Sequence, residues 1–398
     1  DEEAGSSEAS SVTNLANTIL GAGMLAIPFA VASCGYVLGT ICLFLFGAAS
    51  AFGLHLLATC ALKLGRESSF RGVTQIALPG EKWSMMIDGV VAFKCFGVAT
   101  SYLIVIGDVV PEVLYGLSSS RHLWIFIGAL VIAPLCFLRT LDKLRFTSAL
   151  SLVFVAFITS MILAFAVVPS LDACGSNDGD DCQGDIYAAR TGVSAASQLT
   201  VFVFGFTCHQ NIFAIANEMK LPTPRRVDRV IVSSIVVAFF VYLAVGWAGY
   251  MTFGDNVESD VLVNFGGSPV VSAARLFVAL LVCFSYPLQC HPSRACIISI
   301  IHSAYPSSRD HESLVYLGVT GTFLVLSLTI ALAVTKLGTV LAIVGATGST
   351  TVSYILPGIC YFKMFPEPHL KRWLALGQLC AGLFIMPAAL TLIAIENS

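Results

Sequence analysis

The sequence predicts an all-α protein that crosses a membrane many times, and three properties of the chain support this. Of its 398 residues, 57% are hydrophobic and only 11% are charged, whereas a water-soluble domain has about 25% charged residues. The apolar residues fall in runs of roughly 18–25, long enough to cross the hydrocarbon core of a bilayer as helix. The alternating ten-residue pattern of a membrane β-barrel does not occur.

We predict eleven membrane-spanning helices, numbered here as spans 1 to 11. They occupy residues 11–33, 37–62, 83–117, 122–139, 146–168, 191–217, 228–252, 270–293, 312–335, 337–363 and 372–395. Span 3 is the longest because the sequence does not break between Trp83 and Leu117, and we expect it to be tilted or to protrude. Residues 1–10 precede the spans as a polar tail.

The positive charges predict how the chain is oriented. Most Lys and Arg residues lie in the loops that follow even-numbered spans. Loops rich in Lys and Arg generally face the cytosol. The tail 1–10 is therefore expected in the cytosol, and the C-terminus and the acidic loop 169–190 on the other side. Cys174 and Cys182 lie in that loop, outside the apolar spans, and are predicted to form a disulfide in an oxidising compartment.

Span 1 is predicted to be interrupted at its centre. It reads SSVTNLANTILGAGMLAIPFA, with Asn and Thr in its first half, Gly21 and Gly23 in the middle and Pro28 beyond. Lipid does not accommodate this polarity, so protein or water must surround the helix. Gly-x-Gly favours local unwinding, which frees backbone N–H and C=O groups. A small-residue contact between helices is the alternative, but it leaves the Asn and Thr residues unexplained.

Span 6 shows a corresponding interruption. It reads LTVFVFGFTCHQNIFAIANEM, in which Gly205 is followed by the polar run TCHQN. Spans 1 and 6 are five apart and, by the charge rule, cross the membrane in opposite directions. Matching interruptions in two oppositely oriented halves are typical of transporters built from inverted repeats. The repeats are then residues 11–168 and 191–363, and residues 364–398 contribute an additional span.

The predicted interruptions suit a zwitterion. Free N–H groups at the start of a half-helix attract a carboxylate, whereas free carbonyls attract an ammonium group or a cation. The breaks contain no charged side chain apart from the titratable His209, which favours a small neutral amino acid as ligand. No phosphate-binding GxxxxGK[ST] motif occurs, so direct ATP drive is not expected, and no basic run indicates a nucleic-acid partner. Cys208–His209 and Cys290–His291 are neighbours in sequence and point away from each other on a helix, so we expect no enzyme activity. We also expect no cofactor.

Five stretches resemble the amino acid/auxin permease family of amino acid–polyamine–cation transporters: NLANTILGAGMLAIPFA, KCFGVATSYLIVIGD, FGFTCHQNIFAIANE, GYMTFGD and FSYPLQCHPSR. The likeness is to the branch with fungal vacuolar amino-acid transporters and animal sodium-coupled neutral amino-acid transporters. It implies the five-plus-five LeuT-like fold, substrate between spans 1 and 6, and a rocking bundle of spans 1, 2, 6 and 7. It also favours a vacuolar or lysosomal membrane, with the plasma membrane as alternative. We expect a monomer in the lipid bilayer.

The resemblance also implies roles for individual residues. The expected substrate-binding residues are Thr18, Leu20, Gly21, Ala22, Gly23, Met24, Phe204, Gly205 and Thr207. Asn17 corresponds to an Asn that sodium-coupled relatives need for transport, and Ser285 to a hydroxyl at their cation site, where Thr is usual. A sodium ion, if it is the coupling ion, is expected at Leu20 and Ser285, because hard cations prefer oxygen ligands.

Two residues inside the spans are candidates for binding a coupling proton. His209 has a side chain that titrates near neutral pH and lies beside the second interruption; a neutral His bonded to a neighbouring helix is an equal alternative. Lys94 lies mid-span and is interpreted mainly as a structural partner, less as a proton carrier. The sequence therefore predicts a secondary amino-acid transporter with H+ coupling preferred. Na+ coupling, and an amino-acid sensor with little transport, are the alternatives.

Overall fold

The computed structural model describes residues 6–65, 68–114, 117–138, 145–168, 171–174 and 182–396; the side chains at 22 and 145–148 are outside this description. Within these ranges every regular element is helical, and the β-type pairing is a single bridge between Ser6 and Met219. The α-helices are α1 Glu8–Ile19, α2 Ile27–Cys34, α3 Tyr36–Leu64, α4 Phe70–Ala77, α5 Glu81–Val113, α6 Arg121–Cys136, α7 Arg145–Val167, α8 Val193–Gly205, α9 Ile212–Glu218, α10 Pro224–Phe253, α11 Val261–Asn264, α12 Pro269–Ala304, α13 Glu312–Ala333, α14 Leu337–Val344, α15 Leu356–Met364 and α16 Leu370–Glu396.

The described helices confirm a membrane protein with many spans. Nine helical segments are long and apolar enough to cross a bilayer, and the bent pair Glu8–Ile19 and Gly23–Cys34 makes a tenth. The apolar helix α6 has 16 residues and is shorter than a usual span. Each of the eleven predicted spans overlaps one of these segments, but eleven crossings remain a prediction because α6 is short.

Many of the contacts between the described helices fall within two sets. In the first, α10 contacts α1, α2, α3 and α7, while α8 contacts α2 and α3. In the second, the long helices α5 and α12 pack together along much of their length and are flanked by α6 and α13. The segments corresponding to spans 1, 2, 6 and 7 thus contact one another, together with α7 of span 5, and the bundle implied by the family resemblance stays a prediction.

The span after α13 contains an unexpected helix type. Two π-helical stretches, Gly345–Ser349 and Thr351–Ile355, connect α14 to α15. A π-helix has i→i+5 hydrogen bonds and is rare outside short insertions, which are frequent at functional sites. This stretch places Ser353 against the second interruption, as shown below.

The predicted disulfide is confirmed. Cys174 and Cys182 are bonded, with their Cα atoms 6.0 Å apart. The chain on either side of this disulfide lies on the loop between α10 and α12: Gly184 N–H donates to the carbonyl of Phe253 at 2.9 Å, and Gly266 N–H to that of Ala173 at 2.8 Å. The disulfide and the α10–α12 loop are therefore on the same side of the protein.

Candidate substrate site at two interrupted helices

The first interruption lies where the sequence predicts it. Helix α1 ends at Ile19, Leu20 and Gly21 are non-helical, and a 3-10 helix Ala22–Ala26 leads into α2, so that the two halves meet at 49°. Pro28 lies in the first turn of α2, where its missing N–H costs no hydrogen bond. Among the described residues, the N–H of Gly23 has no acceptor and the carbonyl of Leu20 has no donor.

The second interruption leaves a similar set of free groups. Helix α8 ends at Gly205, residues 206–208 are non-helical, and a 3-10 helix His209–Asn211 leads into α9. The carbonyls at the end of α8 are occupied, since the Thr207 hydroxyl donates to Val203 at 2.6 Å and the Ser50 hydroxyl to Phe206 at 2.7 Å. The N–H groups of residues 208–210, in contrast, have no acceptor in the part of the chain that the structure describes. Donors are thus open at the start of both second halves.

The two interruptions are in direct contact. The side-chain amide of Asn211 donates to the hydroxyl of Thr18 at 2.5 Å. On α10, the Tyr242 hydroxyl lies 2.6 Å from the carbonyl oxygen of Ile19 and 2.9 Å from that of Gly205. One side chain thus reaches the last turns of both α1 and α8.

The two interruptions approach each other at Gly23. A Cβ added to Gly23 would lie 2.9 Å from the ring of Phe204, and one added to Gly21 would lie 3.4 Å from the Tyr102 hydroxyl. Leu20, Met24, Phe204 and Thr207 are buried, while Thr18 and Asn17 are half-buried. The side chain of Ala22 falls outside the described set. The structure thus brings the two predicted segments into contact at Gly23 and Phe204.

Two cavities of the described structure lie away from the interruptions. One of about 550 Å³ is lined mainly by apolar residues of α5, α12 and α13, and another of about 310 Å³ lies between α5, the first π-helical stretch and α16. No residue of either interruption lines them.

His209 is fully buried in a polar cluster. Its Nδ1 lies 3.1 Å from the hydroxyl of Ser353, which lies 3.1 Å from that of Thr207. The Nε2 atom has no hydrogen-bond partner among the described atoms, although a Cβ at Gly53 would lie 2.8 Å from it. The side chain of Gln378 donates to the carbonyl of Ser353 at 2.8 Å. Thus α3, α16 and the π-helical segment all border the second interruption.

Lys94 lies near this cluster. It is 3% exposed, and its charge acts on both Cys208 and His209. No hydrogen bond or ion pair joins Lys94 to another described residue, so the structural partner expected from the sequence is not found in that part of the chain. The charge of Lys94 instead acts on His209, the other candidate proton carrier.

Ser285 is buried in α12, and its hydroxyl makes no hydrogen bond to a described residue. The same holds for the side chain of Asn17 on α1. Both groups, like the Leu20 carbonyl, retain an oxygen for a ligand or cation.

Several residues of the site cannot be identified from the sequence. Asn211 lay in the recognised polar run, but its contact with Thr18 joins positions almost two hundred residues apart. Tyr102, Tyr242 and Ser353 come from other spans, and an isolated Tyr or Ser in an apolar span has no distinguishing local pattern. Only the assembled fold identifies them.

This fold, helical throughout the described residues and with two interrupted helices in contact, is of the LeuT class. The chain has a TM-score of 0.64 to the structure titled "Inward facing conformation of Mhp1", with 15% identity, covering 97% of this chain and 90% of that one. Mhp1 has the LeuT fold. A likeness at this identity establishes the fold alone.

Residues 4–395 match the family described as "Transmembrane amino acid transporter protein", and the chain belongs to that family. It is 36% identical to "Vacuolar amino acid transporter 5" of Schizosaccharomyces pombe over 89% of this chain and 83% of that protein. It is 31% identical to "Vacuolar amino acid transporter 5" of Saccharomyces cerevisiae (96% and 97%), and 26% to "Putative sodium-coupled neutral amino acid transporter 11" of Mus musculus (96% and 83%). The resemblance noted in the sequence is thereby confirmed, and the family consists of transporters, not enzymes.

Proposed function

We propose that this protein is a secondary active transporter of small neutral amino acids, which it binds between the two interrupted helices. The observation that supports this most is the set of free backbone groups. The N–H of Gly23 and the N–H groups of residues 208–210 suit a carboxylate, while the free carbonyl of Leu20 suits an ammonium group. No acidic or basic side chain lies in the non-helical segments, which favours recognition of the zwitterionic part of the substrate.

Alternating access is the proposed mechanism. Spans 1–5 and 6–10 form the two inverted repeats, span 11 is additional, and α6 completes eleven crossings. The group containing α1, α2, α3, α8, α9 and α10 moves against α5, α12 and their neighbours. The charge distribution favours a cytosolic N-terminus, and the vacuolar relatives support a vacuolar membrane.

Proton coupling is proposed at His209 and Lys94. Both are buried beside the second interruption, and two positive charges in a region of low dielectric constant repel each other. The pair is therefore expected to bind one proton fewer than two independent groups would. A proton moving down a gradient supplies ~1.4 kcal/mol per pH unit, so a difference of about two units sustains roughly hundredfold accumulation of substrate.

Sodium coupling is the second candidate, and the free oxygens at Leu20, Ser285 and Asn17 favour it. A sodium ion bound by the Leu20 carbonyl and the Ser285 hydroxyl would sit next to the substrate. The mouse relative is named as putatively sodium-coupled, which supports testing both ions.

The decisive experiment is uptake of a panel of amino acids into proteoliposomes under an imposed pH or sodium gradient. We expect neutral amino acids to accumulate when a pH gradient is imposed and His209→Ala to flatten the pH dependence. Accumulation with sodium alone would establish the sodium alternative. Saturable binding without uptake under any gradient would refute transport and favour a sensor.

A further inference from the structure

Asp260 belongs to a second group of charged residues and lies on the loop between α10 and α12. Asp260 in this loop is 2% exposed. Its Oδ1 accepts the N–H of Leu262 at 3.0 Å and so caps the short helix α11. Its Oδ2 is buried and has no hydrogen-bond partner among the described atoms. A buried carboxylate with an unpaired oxygen is costly unless a proton or a cation neutralises it.

The charge of Arg275 attracts the carboxylate of Asp260, but no hydrogen bond or ion pair joins the two side chains among the described residues. Arg275 on α12 is buried, but it donates to the carbonyls of Leu262 at 3.0 Å and Phe265 at 2.8 Å, and its remaining nitrogen lies 3.8 Å from the carboxylate of Glu112. Its hydrogen-bond donors are thus directed at atoms other than the free oxygen of Asp260.

The other neighbour of Asp260 has the same charge. Asp108 on α5 acts on Asp260 by repulsion, and Arg121, which pairs with Asp108 at 2.8 Å, also donates to the carbonyls of Ala331 and Val334 at the end of α13. The cluster therefore holds three carboxylates, from Asp108, Glu112 and Asp260, against the guanidinium groups of Arg121 and Arg275. One added proton makes it neutral.

We infer that Asp260 is a proton-binding site on the side of the protein that holds the disulfide, and that its protonation keeps α11 seated on the 3-10 helix Ala22–Ala26. Helix α11 packs against both α5 and this 3-10 helix. The loop is bonded to Ala173, next to Cys174, so it faces the same compartment as the disulfide. In an acidic compartment the neutral carboxyl stabilises the seated loop. A charged carboxylate at higher pH weakens it.

The direction of this effect follows from the environment. Burial, followed by the charge of Asp108, raises the pKa of Asp260 to about 7. The folded state then binds a proton that the unfolded chain releases at lower pH, so the stabilisation is fully present at acidic pH and is lost as the pH rises through about 7. Any effect on transport rests on the proposed function, whereas proton binding does not.

Infrared difference spectroscopy on the purified full chain tests the inference directly. Between pH 5 and pH 8.5, the wild type is expected to lose the carbonyl-stretch band of a protonated, buried carboxyl, with a midpoint near the pKa of Asp260. Asp260→Asn retains a capping oxygen and is expected to fold without this band. Glu258→Gln, which alters an exposed carboxylate in the same loop, is the control and is expected to keep it. An identical band change in wild type and Asp260→Asn would overturn the inference.

Thermal unfolding gives an independent readout. The melting temperature of the wild type is expected to fall by a few degrees relative to that of Asp260→Asn between pH 5 and pH 8.5, and a constant difference would overturn the inference. Uptake by the wild type separates the two proposals. If the wild type shows normal uptake but no pH-dependent carboxyl band, only the Asp260 site is refuted. If it shows the pH-dependent band but no uptake, only the proposed transport is refuted.

Discussion

The side-chain amide of Asn211 donates a hydrogen bond of 2.5 Å to the hydroxyl of Thr18. Thr18 in turn donates to the carbonyl of Asn14 at 2.9 Å, so its hydroxyl has a fixed direction. Asn211 precedes α9 and Thr18 lies in the last turn of α1. A hydrogen bond therefore joins α1 to the segment that leads into α9. It either persists or breaks when these two half-helices move relative to each other.

The contact predicts an energetic coupling between Thr18 and Asn211. Thr18→Val and Asn211→Ala should each lower stability by about 1 kcal/mol, because each leaves a half-buried polar group without its partner. The double variant should cost less than the sum of the two. A double-mutant cycle in thermal unfolding measures this. Thr391→Val, which removes only a bond within α16, is the control, and strict additivity would contradict the prediction.

The two glycines of the first interruption should differ in their tolerance of a side chain. Gly23→Ala places a methyl group 2.9 Å from the ring of Phe204, so we expect uptake to fall at least tenfold, an effect of about 1.4 kcal/mol. Gly21→Ala meets only the Tyr102 hydroxyl at an ordinary contact distance of 3.4 Å and should retain most activity. Uptake by the two variants at equal expression decides, and the reverse order would contradict the geometry.

Gly53 should be essential for packing around His209. A Cβ at this position would lie 2.4 Å from the carbonyl oxygen of Ser353 and 2.8 Å from Nε2 of His209. Gly53→Ala is therefore expected to destabilise the protein by about 1–3 kcal/mol through overpacking. Gly377→Ala, in α16 with open space around it, should be neutral or stabilising. Melting temperatures of the two variants test this. Equal melting temperatures would contradict the prediction and show that the residues around His209 can accommodate a methyl group.

The disulfide between Cys174 and Cys182 should stabilise the loop region modestly. Its sequence separation is 8, for which loop-closure entropy gives roughly 2–3 kcal/mol. Replacing both residues by Ser should lower the melting temperature, while Cys380→Ser, at an exposed free thiol, should not. A membrane-impermeant reductant should reproduce the loss only from the non-cytosolic side. Sensitivity from the cytosolic side alone would reverse the predicted orientation.

The sequence predicted the interruptions because their causes are local. Gly21, Gly23, Pro28 and Gly205 remove side chains or donors at definite places, and adjoining polar residues show that lipid does not surround them. The disulfide was predictable for a similar reason, since its two cysteines are close in sequence and lie in a polar loop. These features need no knowledge of how the spans are arranged.

The remaining parts of the site depend on which spans are neighbours. Ser353 reaches His209 only because a π-helical stretch positions it, and that stretch has no evident sequence pattern. The proximity of Lys94 to His209 joins α5 to the second interruption across more than one hundred residues. Lys94 shows what the sequence cannot predict. Its position in an apolar span indicates that its charge needs a partner, but it does not identify the residue that provides one.

The Tyr242 hydroxyl has a single hydrogen and two carbonyl oxygens within reach, at Ile19 and Gly205. It can therefore donate fully to only one of them at a time. If α1 swings away from α8, the proton can turn from one oxygen to the other without leaving the phenol unsatisfied. Separating α1 from α8 at this point therefore breaks one shared hydrogen bond and not two. Tyr242 thus lowers the free-energy cost of their relative motion.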